Sequence, residues 1–409
     1  MPVEAVRFLH ASDFRLDCPL GGITEVPGHL RESFVEAPYR AATRVFDAAI
    51  HEEVDFVVLS GGLLDPYASG PRGVLFLQEQ FQRLADRGTQ VYWAGSACDG
   101  TDDWPHELSL PENVHHFPTG HVSEVLHRRD GQVIARLIGQ SRGRRQRFAA
   151  SEYCREATSV LTIAVAHGAI DFEDVSSRGM PDYWALGGES QSRSFEHRGA
   201  IVQYPGSPQG RDPEEPGPHG CVLVAVDNEG SFQTRLVATD VLRWLTMRLR
   251  LDPHIPREAF ERLLGDASKA LLSKESGANL LVSWNIDGSG PLWQQLHRGR
   301  LADEWLARLR GDLGYASPSL WSLAFDIVPP ALESDAALEE DSLLGDYLRT
   351  LRTSEIDGET MDLSSFLPEW AERAMLGTMA EIAPAERDDL VRRAALLGRE
   401  LLRGEVQPS

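Results

Sequence analysis

The sequence predicts a layered α/β fold with a second sheet, followed by a small α+β unit and a helical tail. Three observations carry this. Short apolar runs alternate with helix-period stretches over roughly the first hundred residues. From about residue 110 to 240, strand-like runs follow one another with few helices between them. Beyond Pro329-Pro330 the apolar residues recur at helical spacing in an acidic background.

Taken in order, Val6–Ser12, Asp55–Gly61 and Gln90–Ser96 read as buried strands, because each is a continuous apolar run of strand length. Tyr39–Glu52 and Arg72–Arg87 read as the helices between them. Gly131–Gln140, Val160–Gly168, Asp182–Gly188, Ile201–Gly206, Gly220–Asp227 and Phe232–Thr239 read as further strands. Asp130-Gly131 and Asn228-Glu229-Gly230 are hairpin turn signals. Arg243–Leu251 alternates as a strand, Pro256 opens a helix over Glu258–Leu272, and strands at Asn279–Asp287 and Leu320–Val328 flank a helix near Ala302–Leu313 that Gly314 stops. The expected divisions are therefore 1–240, 241–330 and 331–409, in line with roughly 100–200 residues per domain. The last region holds 18 acids against 8 bases.

Composition narrows the functional classes. Apolar residues are 42% and charged residues 25% of 409, enough for a sizeable core. No apolar run of about 18 residues exists, so no membrane span is expected. MPVEAVRFLHASDF lacks a basic segment before an apolar core, and Cys18, Cys98, Cys154 and Cys221 form no C-x-x-C pair. Reduced thiols, a cytoplasmic location and no structural zinc are expected. The net charge of −22 repels phosphate backbones on average. Of the 40 bases only Lys269 and Lys274 are lysines, a codon-bias signature that discounts arginine counts as evidence for phosphate binding.

In open α/β sheets, sites gather at the carboxyl ends of strands. Those ends read His10-Ala11-Ser12-Asp13-Phe14-Arg15, Ser60-Gly61-Gly62-Leu63-Leu64-Asp65, Ala94-Gly95-Ser96-Ala97-Cys98, Ala166-His167-Gly168 and Ala185-Leu186-Gly187-Gly188-Glu189-Ser190. The candidates they offer at the strand ends are Asp13, His167 and Arg15, and these make no nucleophile–base pair. The residues alone do not identify an enzyme.

Their order and flanks resemble the calcineurin-like metallophosphoesterases, in the SbcD/YhaO-type branch of bacterial DNA repair exonucleases. That family opens with a strand ending D-x-H, matched by Asp13-Phe14-Arg15. G-D-L-x-D is matched by Gly61-Gly62-Leu63-Leu64-Asp65, and G-N-H-D by Gly95-Ser96-Ala97-Cys98. D-Y-W-A-L-G-H-x-H is matched by Asp182 through Ser190. Tyr204 through Arg211 and Gly217 through Cys221 resemble Y-P-G-x-x-Q-G-R…G-P-K-G-C, and Leu110-Pro111-Glu112-Asn113-Val114-His115 also matches. The likeness runs to about residue 330 and is strongest to 227. It implies a four-layer α/β/β/α sandwich with a small α+β capping domain and a helical C-terminal tail. It also implies chemistry by two Mn or Mg ions, and an SbcC-like coiled-coil ATPase partner.

Carried over residue by residue, one metal would use Asp13, Arg15, Gly62 and Ser190, and the other Gly62, Ser96, His167 and Gly188. Asp13 and His167 are the two of these seven that can ligate as the family does. Gly62 stands where both metals share an aspartate, and Ala97 where a histidine assists the leaving oxygen. The expectation is a catalytically degenerate homologue with no metal cofactor, acting as a scaffold or regulatory subunit in DNA end processing. One alternative is an active metal-dependent phosphoesterase or nuclease with a rearranged site. The other is a DNA-binding module using Arg142, Arg144, Arg145 and Arg147, the densest basic run. DNA binding by the chain alone is expected to be weak, and a homodimer is compatible with the sequence. Asp65 and Glu189 read as structural, Trp93, Trp184, Trp244, Trp284 and Trp321 as core, and residues 337–352 and 384–403 as the helices available to a partner.

Overall fold

Fourteen strands assemble into two six-stranded sheets and one short pair before the chain turns to a third sheet. The structure, a computed structural model, describes residues 5–23, 26–105, 109–143, 148–156, 158–173, 179–275, 277–328, 341–356, 361–362, 381–382 and 384–402.

The strands of the first part are β1 (Val6–Ala11), β2 (Phe56–Leu59), β3 (Gln90–Trp93), β4 (Val114–His116), β5 (Ser123–Arg129), β6 (Gln132–Gly139), β7 (Phe148–Ala149), β8 (Leu161–His167), β9 (Ile170–Asp171), β10 (Tyr183–Gly187), β11 (Arg193–His197), β12 (Ala200–Tyr204), β13 (Gly220–Val226) and β14 (Phe232–Ala238). The first sheet has the order β14-β13-β1-β2-β3-β4, and the second β11-β12-β10-β8-β6-β5. β1 to β4 run parallel, as do β6, β8, β10 and β12. Helices α1 (Arg31–His51) and α2 (Pro66–Ala85) provide crossovers in the first sheet.

Strand periodicity of two explains why these runs are apolar throughout. In β2, Val57 and Leu59 join the core under α1 and α2, whereas Phe56 and Val58 join the core between the sheets. In β8 and β10, Ile163, Val165, Tyr183 and Ala185 face inward, while Ala164, Ala166, Trp184 and Leu186 face the opposite side. Phe8 stacks on Phe56 at 5.2 Å and meets Tyr183 edge-on at 5.2 Å, joining the sheets at the centre. Over the far face of the second sheet, among the described residues, lie a 3₁₀ turn at Ala150–Tyr153 and the β7–β9 pair.

Both early helices begin before the sequence reading placed them. α1 starts at Arg31 and carries Pro38 inside, a residue that reads as a helix breaker in sequence. α2 starts at Pro66, and its kink at Gly70 (φ 62°) ahead of Pro71 hides that first turn from a periodicity search.

The chain divides into two compact units: Met1–Thr246 with Lys269–Ser283 and Leu309–Leu323, and Met247–Ser268 with Trp284–Arg308 and Ala324–Ser409. Residues 241–330 are thus shared between the units. Their strands β15 (Leu242–Leu251), β16 (Asn279–Gly288) and β17 (Leu320–Ile327) form a sheet in that order, connected through α3 (Arg257–Lys274), α4 (Pro291–His297) and α5 (Arg300–Leu313). In the first unit, Leu30, Phe34 and Ala37 of the α1 end pack with Val241, Leu242, Trp244 and Leu281. In the second, α6 (Leu343–Ile356) and α7 (Pro384–Leu402) pack on each other through Leu344, Leu348 and Ala395, with Tyr347 Oη donating to the Ala394 carbonyl at 2.6 Å. Residues 337–340 and 403 of the expected tail helices lie outside the described residues. Among the described residues, no helix is long and apolar enough to cross a membrane.

Candidate functional site

Parallel register brings the carboxyl ends of β1, β2 and β3 side by side, with Ala11 opposite Leu59 and Leu59 opposite Trp93. In the second sheet Gly187 lies opposite His167. The two sets of strand ends meet around Asp13. Its Oδ1 accepts from His167 Nε2 at 3.1 Å, and its Oδ2 accepts from the Gly188 N–H at 2.7 Å and from Ser12 Oγ at 2.7 Å. Burial alone would raise the Asp13 carboxyl. The hydrogen bonds and charge of His167, with the Gly188 and Ser12 donors, outweigh it and hold the group below the usual carboxylate value. Asp13 and His167, the two residues expected to keep a ligating side chain, are therefore bonded to each other.

A second carboxylate enters that sequence reading missed. Asp99, one residue beyond the Gly95–Cys98 match, is fully buried. It accepts from the Leu63 N–H at 2.7 Å, the Gly62 N–H at 3.3 Å, and both the N–H and the Oγ of Ser96. Burial pushes its pKa up despite these donors. The aspartate four places after Gly95 was the available signal, and the one-residue offset from the motif concealed it.

The remaining positions separate clearly. Arg15 lies at the edge, its Nε 4.0 Å from Asp13 Oδ1 and its side chain 41% exposed. Asp13 (φ 55°) and Arg15 (φ 46°) both occupy the left-handed backbone region, which non-glycine residues adopt at a cost of about 1–3 kcal/mol. Gly62 has φ 72°, and a Cβ there would sit 2.6 Å from Asp13 Oδ1. The Ser96 hydroxyl is bonded to Asp99, and Ala97 brings no polar group. The Ser190 carbonyl receives the Ser207 N–H at 2.9 Å. Glu189 turns to Arg193 at 3.2 Å, and Asp65 caps α2 by accepting from Tyr67 and Ala68. Desolvation and the neighbours Asp65, Asp99, Asp103 and Asp17 push the exposed Cys98 thiol up, the opposite of an activated nucleophile. Arg142 reaches the cluster, its backbone N–H on the Gly95 carbonyl at 2.9 Å. Arg144, Arg145 and Arg147 lie outside the described residues. Among the described residues, no three His, Cys, Asp or Glu side chains form a metal-holding group.

The Tyr204–Cys221 segment supports this site from behind. Arg211 is buried and donates to the Phe14 and Cys18 carbonyls, gripping the loop that carries Asp13 and Arg15. Gln209 accepts from the Val241 N–H at 2.9 Å and donates to the Leu242 carbonyl at 2.5 Å. Ser207 and His219 share a hydrogen bond at 3.0 Å.

No family model matches the chain. A solved structure titled "GAP50 the anchor in the inner membrane complex of Plasmodium" is 13% identical, covers 57% of this chain and 85% of its own, and has a TM-score of 0.33, too low to carry an argument. The Bacillus subtilis (strain 168) protein described as uncharacterized metallophosphoesterase YhaO is 30% identical over 339 residues, spanning 78% of this chain and 81% of that relative. With a likeness of that extent over strand ends arranged as above, the chain belongs to the metallophosphoesterase superfamily.

Proposed function

We propose that this protein is a catalytically degenerate, SbcD/YhaO-like member of the superfamily, acting as a scaffold or regulatory subunit in DNA end processing beside an SbcC-like coiled-coil ATPase. The observation that carries the reading is at Gly62. Two-metal hydrolysis needs an anionic ligand shared by cations about 3.5–4 Å apart. The family's bridging position is a glycine here, and the Asp13 carboxylate lies within 2.6 Å of where its Cβ would stand. Asp13 and His167 spend their ligating atoms on one another. Arg15 adds a permanent cation where the family has a ligand. This donor set does not fit a pair of divalent ions, so no hydrolytic step is derived through them. A fold outlives its site when the lost residues are not those that hold it together.

The partner reading rests on the family resemblance and the tail. α6 and α7 bury one stripe against each other and leave Leu343, Leu390, Leu397 and Leu401 exposed.

The test is elemental analysis of the full chain after manganese loading, with a nuclease assay on the same sample. Less than one Mn²⁺ per chain and no cleavage are expected. Two tightly bound Mn²⁺ with cleavage that His167→Ala abolishes would replace this reading with an active enzyme.

A further inference from the structure

We propose that the strand-end cluster holds a phosphate-class oxyanion without a metal, with Arg142 as its main contact and His167 and Arg15 beside it. This rests on the reading that no metal pair is bound there. Arg142 follows β6, and its backbone bond to Gly95 fixes it beside the end of β3. Its guanidinium lies over Gly168. A Cβ at Gly168 (φ 111°) would stand 2.7 Å from Arg142 Nη1 and 3.4 Å from Cζ, so the missing side chain is what seats the guanidinium. Gly168 is also continuous with the cluster: its Cα and His167 Cε1 lie 3.4 and 3.5 Å from where a Gly188 Cβ would be.

Two polar atoms at this place are buried without a hydrogen-bond partner, Arg142 Nε and His167 Nδ1. Each such atom forgoes water without a replacement, and here two of them fall in one cluster. Other arginines of the same unit use their guanidinium on a partner, either a carboxylate (Arg72 with Glu36 at 2.6 Å, Arg83 with Asp47 at 2.6 Å, Arg243 with Asp240 at 2.7 Å) or backbone carbonyls (Arg44 on Asp240 at 2.6 Å, and Arg211 on Phe14 and Cys18). Arg142 has none among the described residues, in a chain of net charge −22. The carboxylate of the cluster, Asp13, already has both oxygens engaged by Ser12, Gly188 and His167. A phosphate suits these donors better than a carboxylate does. It offers acceptor oxygens in several directions to a planar guanidinium and a second, exposed guanidinium, and to His167 Nδ1 in the doubly protonated ring, since Nε2–H already donates to Asp13. The same chemistry is presented by free phosphate and by the terminal phosphate of a nucleic acid.

Calorimetry on the full chain in EDTA decides the matter, with inorganic phosphate as one probe and oligothymidylate with and without a terminal phosphate as the other. Phosphate binding that survives EDTA is expected, with Arg142→Gln weakening it about 10-fold or more, the usual worth of a charge-assisted hydrogen bond. Preference for the phosphorylated oligonucleotide over inorganic phosphate assigns the source to a nucleic-acid end, and the reverse assigns it to free phosphate. Should Arg142→Gln unfold, the ¹⁵N shift of His167 Nδ1 on phosphate addition to the wild type reads the same site. Unchanged affinity in Arg142→Gln, or an unmoved His167 signal, overturns the proposal. No binding up to about 10 mM, with or without Mn²⁺, overturns it alone. Binding that needs Mn²⁺ and is lost in EDTA overturns the metal-free reading of the site as well.

Discussion

The Tyr204–Cys221 segment and the cluster around Asp13 both carry the family pattern, yet their polar side chains are spent differently. In the first, Ser207, Gln209, Arg211 and His219 are bonded within the chain, mostly to backbone groups. In the second, the matching positions are glycines, serines and an arginine, and the surviving Asp13 and His167 are bonded to each other. The comparison teaches that one stretch of motif is architectural and the other chemical. Loss of a buried structural partner strands backbone groups without water, whereas loss of a ligand at a strand end leaves the sheets intact.

The strongest way to break this comparison is to remove Arg211. Its two donated bonds satisfy carbonyls of the β1–α1 loop, and Arg211 itself is buried. Arg211→Ala is expected to destabilise by about 3–5 kcal/mol, the range for deleting a buried, hydrogen-bonded charge. Urea unfolding measures it. A loss below about 1 kcal/mol would mean that the motif is not what holds the loop.

Histidine titration sharpens the contrast next. His10, just below the cluster, is enclosed by Ser60 Oγ at 2.8 Å and Tyr183 Oη at 3.1 Å, and burial pushes its pKa down to about 3. The fold therefore holds the neutral ring. Above pH 6.5 neither state carries the proton. Between 6.5 and about 3 the unfolded state binds it and the folded state does not, so stability falls as pH falls. The slope is about 1.4 kcal/mol per pH unit, or about 2 kcal/mol by pH 5. His116, stacked on Trp93 at 3.9 Å and also near 3, adds with the same sign. Asp13 acts with the same sign in a lower window: its contribution is whole above the ordinary value of 3.8 and is lost as pH falls from there through its lowered folded value. Urea midpoints at pH 6.5 and 5, for wild type and His10→Gln, check this. Equal slopes would remove His10 as the source.

The fold was legible because buried strands are apolar on both faces and end in turns rich in glycine. That pattern located β1, β2, β3, β6, β8, β10, β12, β13 and β14. It missed β4, β5, β7, β9, β11 and α4, which are short or half-exposed and lack a continuous apolar run. The site was legible in part. Strand ends and the resemblance named Asp13, His167 and Gly62, but pairing is a matter of distance. Arg15, two residues on, stands 4.0 Å from Asp13, whereas the closer donors are His167, Ser12 and the Gly188 N–H. Asp99 escaped because its role depends on the amides of Gly62 and Leu63, far away in sequence.

Restoring the missing ligand tests the other half of the comparison. Gly62→Asp places an aspartate where the resemblance implies the bridging residue, on a backbone at φ 72° with Asp13 Oδ1 2.6 Å from the new Cβ. A cost of about 1–3 kcal/mol is expected, from the left-handed backbone and displacement of the Asp13 carboxylate. No gain in Mn²⁺ binding should accompany it, because Arg15, Ser96, Gly188 and Ser190 remain. Stoichiometric Mn²⁺ in this single variant would show that the site is one substitution from a metal centre.

The smallest effect is at Arg15, and it separates a charge role from a backbone role. Its contact with Asp13 is long, at 4.0 Å, and its side chain is 41% exposed, so screening leaves the pair worth about 0–1 kcal/mol. Its backbone, at φ 46°, is in a region glycine enters freely and an L side chain enters at about 1–2 kcal/mol. Arg15→Ala keeps that strain and loses the weak pair. Arg15→Gly loses the same pair but relieves the strain, less the extra freedom glycine has when unfolded. The glycine variant should therefore be more stable than the alanine variant, by up to about 1 kcal/mol in urea. A double-mutant cycle of Arg15→Ala with Asp13→Ala should couple by less than about 0.5 kcal/mol, whereas Asp13→Ala with His167→Ala should couple by more. If the Arg15 cycle couples more strongly than the His167 cycle, the guanidinium is the true counter-ion of Asp13. The strand-end cluster would then be an ion pair closed on itself, as internally satisfied as the Tyr204–Cys221 segment.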